Sequence, residues 1–112
     1  MSVKTPRIVR VGPHKYDIVF DKEACVAANV VGVCLNDDAR IILDPGLADT
    51  MKRETLLHEL LHAVWYQTPL DRRYDDDAPD SVGEEIVYTL ASRLLSLLRD
   101  NPKLVEYLTQ EA

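Results

Sequence analysis

Thr55-Leu56-Leu57-His58-Glu59-Leu60-Leu61-His62-Ala63-Val64-Trp65 carries the pattern H-E-x-x-H inside a run of strong helix formers. Residues four apart on an α-helix lie on one face, one turn above the other. His58 and His62 can therefore aim two imidazoles at one point and share a metal ion. Glu59 is about 100° further round the helix, where it flanks that point without competing as a ligand. That is the place for a general base acting on a water at the metal. Leu57, Leu60, Leu61 and Val64 follow the i, i+3, i+4, i+7 spacing and are expected to form the buried stripe, on the side away from the histidines. The competing reading is a half-exposed helix whose histidines and glutamate simply face water.

Upstream of this helix the chain reads as a small sheet. Arg7 to Val11 and Tyr16 to Phe20 alternate with period two around the turn signal Gly12-Pro13-His14-Lys15. His14 is read as a surface turn residue. Asp21 to Asn29 is a connector with one turn of helix. Val30 to Leu35 and Arg40 to Leu43 bracket Asn36-Asp37-Asp38-Ala39 as a hairpin with a polar four-residue loop. Asp44-Pro45-Gly46 ends the strand, and Asp49 or Thr50 can cap a helix over about residues 50–66.

Downstream, Gln67 to Asp80 holds two prolines and a run of aspartates whose spacing does not fit a calcium loop. It reads as a solvated loop beside the site, in the position of a lid. Helical periodicity returns at Ser81 with Ile86, Val87, Leu90, Ala91, Leu94, Leu95, Leu97 and Leu98 on a broad apolar face. Asp100-Asn101-Pro102 breaks it, and Lys103 to Thr109 is a short last helix. The expected architecture is α+β over one domain, residues 1–112: a small, mainly antiparallel sheet, the motif helix and a long second helix.

Composition narrows the partners. A net charge of −6 argues against general affinity for nucleic acid or anionic membranes. Lys52-Arg53 and Arg72-Arg73, the two basic pairs, read as solvated surface. No run approaches the roughly 20 apolar residues of a membrane span. Residues 1–12 show no signal-peptide pattern, and Cys25 and Cys34 are nine apart, which is not a metal or redox spacing. Two reduced, buried thiols and a cytoplasmic location are expected.

A catalytic zinc site takes three protein ligands and leaves a fourth position for water. Glu84 and Glu85 open the second long helix. Glu84 continues the line of Val87, Ala91 and Leu98 at the margin of the apolar face, whereas Glu85 continues Thr89, Ser92 and Ser96 on the solvent face. If the two helices pack together, Glu84 is the residue that can reach the histidines. Ser81-Val82-Gly83-Glu84 also fits a capping box, which would occupy the Glu84 carboxylate at the helix start instead.

Glu54 to Ala63, and Glu84 to Leu95 with Asp100-Asn101-Pro102 after it, resemble zincin-like metallopeptidases of the gluzincin arrangement. The closest resemblance is to small phage and prophage proteins related to ImmA/IrrE-type and SprT-like peptidases. The second pattern of that group is E-x-x-A-N-x-F-A-x-x-L-L, onto which Glu84, Leu90, Ala91, Leu94 and Leu95 fall. Val87 and Tyr88 replace its Ala-Asn pair. The resemblance implies a zinc peptidase acting on a protein or peptide, with His58, His62 and Glu84 as ligands and Glu59 as base. Tyr66 and Tyr88, each one turn beyond a ligand, are the candidate oxyanion donors. A catalytically silent protein-binding module of the same fold is the alternative, and a metal-free interaction protein a third reading.

Overall fold

The computed structural model describes residues 3–69 and 82–110, and within 82–110 the side chains of all but residues 82–85, 87, 88 and 91. Strands β1 (Ile8–Val11) and β2 (His14–Phe20) pair antiparallel, with Val9 opposite Tyr16. Their alternation does what period two predicts: Val9, Val11, Tyr16 and Ile18 are buried, and Ile8, Arg10, Asp17 and Val19 face outward. The two-residue turn between them needs a positive φ at its first position, and Gly12 supplies it at +58°.

Helix α1 (Lys22–Ala28) is longer than the single turn expected. Both its ends are marked in the sequence: Asp21 accepts a hydrogen bond from the Ala24 amide at 3.1 Å, and Asn29 takes the left-handed C-cap conformation. Strands β3 (Gly32–Leu35) and β4 (Arg40–Leu43) form the expected hairpin, closed by a 3-10 turn over Asn36–Asp38. The strand order is β1-β2-β4-β3, and β4 lies parallel to β2. The sheet is therefore mixed, with two antiparallel pairings and one parallel. The parallel pairing arises because α1 carries the chain across before β3, which lets β4 insert between β2 and β3.

Helix α2 (Asp49–Tyr66) spans the motif almost as expected. Neither Asp49 nor Thr50 caps it: Ala48 occupies the N-cap position, and Asp49 is the first helical residue, where its charge meets the positive end of the helix dipole. The buried side also differs from expectation. Leu56, Leu60, Ala63 and Val64 pack with Val9, Val11, Ile41 and Leu43, whereas Leu57 and Leu61 are 37% and 38% exposed. The helix is apolar on two sides, and periodicity alone cannot say which of them meets the sheet.

Helix α3 (Val82–Asp100) packs against α2 and β1, and α4 (Pro102–Thr109) against α2 and α3. Of the apolar face expected on α3, Leu97 is buried and Leu90 and Leu94 are partly buried, but Leu95 and Leu98 are exposed. Pro102 begins α4 as its first residue, a position where the missing amide hydrogen costs nothing. The Asn101 amide beside it donates to the Leu97 and Arg10 carbonyls at 2.7 and 2.8 Å. Its oxygen accepts from the Arg10 amide at 2.9 Å, so this side chain ties the helix junction to β1. Among the described residues no helix is long and apolar enough to cross a membrane.

Candidate metal centre

His58 and His62 project from the solvent side of α2, both exposed. Their Nε2 atoms lie 3.2 Å apart, with ring centroids 4.8 Å apart and planes at 75°. Two nitrogens held at about 2.0–2.1 Å from one tetrahedral ion are about 3.3 Å apart. The pair thus meets the spacing a zinc ion requires with both rings presenting the same nitrogen. The same distance also suits one N–H···N hydrogen bond between two neutral rings.

Glu59 sits differently from its neighbours. It turns towards the sheet and is only 7% exposed, at the boundary between the histidine face and the buried face. Its Oε2 remains 4.0 Å from His58 Nε2. A carboxylate beside the shared point of two imidazoles, with most of its surface withdrawn from water, is placed to accept a proton from a water held there.

What brings Glu59 into that position is a close approach of β3 to α2. A Cβ on Gly32 would come within 2.6 Å of Thr55 Cγ2, 3.2 Å of Leu43 Cδ2 and 3.5 Å of Glu59 Cγ. Sequence reading gave Gly32 no role, although a glycine inside a strand is the signal for such an approach. Gly32→Ala is expected to destabilise the fold by about 1–3 kcal/mol through overpacking. Thr55→Ser, which deletes the opposing methyl, should recover much of that loss; denaturant melts of the single and double variants measure it. Equal stability of the wild type and Gly32→Ala would show that the contact is not tight.

Cys34 lies two residues along β3, half-buried and packed against the core. Burial, and after it the Glu59 charge, push its thiol up to about 11. It is therefore an uncharged neighbour of Glu59 at neutral pH rather than a nucleophile. Cys25 is fully buried, and both cysteines are free thiols. Burial was expected of both thiols; Cys25 meets it, whereas Cys34 is only partly buried.

Of the remaining expected site residues, Tyr66 is exposed one turn beyond His62, and its hydroxyl donates to Asp37 Oδ1 at 3.3 Å. His14 is exposed at the start of β2, in register with Val11. Glu84 and Glu85 fall in the first turn of α3, but their side chains, that of Tyr88, the loop from residue 70 and Ser81 of the capping box lie outside the described residues. Leu98, on the line that Glu84 continues, is 41% exposed, so that line runs at the surface in this part of α3. Among the described residues no three His, Cys, Asp or Glu side chains surround a common point. Compared with known proteins, the chain matches no family model, no curated sequence and no solved structure.

Proposed function

We propose that the chain is a zinc-dependent metallopeptidase. The observation that carries the reading is the convergence of His58 Nε2 and His62 Nε2 to 3.2 Å on one exposed helix face, with the Glu59 carboxylate at its margin. His58 and His62 would hold the ion, and Glu84 is the third ligand proposed from its place at the start of α3. When bound, zinc supplies a Lewis acid that acidifies water and polarises a carbonyl. Glu59 accepts the water's proton and returns it to the departing amine. Its burial against β3 confines the side chain more than exposure to solvent would. Tyr66 can present its hydroxyl to the developing oxyanion only by leaving Asp37.

The test is hydrolysis of an unfolded protein or a peptide pool by the zinc-loaded protein. Cleavage that stops on adding chelator and returns with zinc supports the reading. Stoichiometric zinc with no cleavage of any substrate would instead make this a silent binding module.

A further inference from the structure

A cavity of about 820 Å³ opens beside the candidate metal centre, with His58 and Glu59 forming part of its wall. Further parts of its wall come from three separate segments: Val26 on α1, Val31 just before β3, and Met51 and Glu54 on the first half of α2. Val26, Val31 and Met51 are 66%, 49% and 47% exposed, so the cavity presents apolar surface that the fold itself does not use.

Three carboxylates line it, Asp44, Glu54 and Glu59, and they differ in their surroundings. Asp44 is paired with Lys22 at 3.2 Å and accepts from the Gly46 amide at 2.8 Å. Glu59 is buried against β3 and is the base of the proposed reaction, so it is not open to a substrate cation. Glu54 is exposed and has no ion-pair partner among the described residues. It stands four residues before His58, hence on the same line of the helix and about 6 Å along its axis.

We propose that this cavity is a side-chain subsite for lysine or arginine in a polypeptide substrate. The aliphatic stem lies against Val26, Val31 and Met51, and the cationic head meets Glu54. This rests on reading the adjoining site as that of a peptidase. A long basic side chain is the occupant that satisfies both features at once, since its methylenes bury on apolar walls while its head stays at a wet, charged rim. An aliphatic side chain would leave Glu54 unanswered, and an acidic one would be repelled by it. Because Glu54 is one turn from His58, the residue held there is close in sequence to the bond presented to the metal.

The experiment measures binding rather than turnover. Fluorescent peptide pools with lysine, arginine, norleucine or glutamate fixed at one position are titrated into zinc-treated Glu59→Gln protein and followed by anisotropy. Zinc content is measured on the same samples. The lysine and arginine pools are expected to bind about fivefold tighter than the norleucine pool, the range of one partly exposed ion pair. Adding Glu54→Gln should erase that preference, and Glu54→Lys should turn it towards glutamate. Norleucine binding as tightly as lysine, a Glu54→Gln change without effect, or no pool binding at all would each overturn the subsite. Absence of zinc from wild-type protein treated in the same way overturns the peptidase reading separately, and the peptide preference is still read on its own terms.

Discussion

Loss of zinc uptake in His58→Ala and in His62→Ala, with the apo fold intact, is the largest effect expected of this protein. Both imidazoles are exposed on α2 and contribute little to the core, so their removal should change apo stability by no more than about 0.5 kcal/mol. Their effect on the metal is of another order. Residues that merely orient a ligand cost about 10–100-fold in affinity when removed, so deleting a ligand should cost more than about 100-fold. Elemental analysis should find close to one zinc per wild-type chain and almost none in either variant. Thermal melts give an independent reading. A ligand in hundredfold excess over its Kd stabilises the folded state by about 2.7 kcal/mol, on the order of 10 °C in Tm for a chain of this size. That shift should appear in the wild type and vanish in both variants. Glu84→Ala is expected to lower zinc content as well, and Glu85→Ala to leave it unchanged. A wild-type chain that takes up no zinc would show the histidines to be bystanders on a structural helix.

Glu59→Gln should separate chemistry from metal binding. The substitution keeps size and shape in a confined position between α2 and β3 while removing the proton acceptor. Zinc content should stay at the wild-type level, and kcat should fall by about 10²–10⁴-fold, the usual contribution of a positioned acid-base group. A silent variant that also lost its zinc would show that Glu59 serves the metal rather than the water. Cys34 provides an internal check on the geometry. The Glu59 charge is the second cause, after burial, of its raised thiol value, so the neutral variant should lower that value. Thiol alkylation rates against pH would read the change. Full proteolytic activity in Glu59→Gln with zinc bound would refute the mechanism.

Much of the fold could be read from local pattern. The alternation of Val9, Val11, Tyr16 and Ile18, the Asn36–Ala39 loop and the break at Asn101-Pro102 each depend on neighbours in the chain, and each appears where periodicity and turn chemistry place it; the Gly12 turn does too, but it is two residues long, because His14 and Lys15 already pair in β2. Local pattern is ambiguous where a segment offers several equally good answers. α2 carries Leu57 and Leu61 on one side and Leu56, Leu60 and Val64 on another, and only the sheet beneath it selects between them. The extent of α1 was missed although Asp21 and Asn29 marked its ends, because its seven residues bury little beyond Cys25.

At the candidate site the division is sharper. The four-residue spacing of His58 and His62 is a property of any α-helix, so the sequence by itself was enough to bring the two imidazoles together and to put Glu59 beside them. It could not show that Glu59 is held against β3, that Gly32 makes room for it, or that Cys34 shares its surroundings. Nor could it bring Val26, Val31 and Met51 to one wall beside Glu54. Those contacts join residues far apart in the chain, and they exist only because β3 sits at the sheet edge, next to β4 and under α2. Covalent spacing along one helix determines which side chains can share an ion. The packing of separate elements decides how deeply the base is buried and what lies beside it.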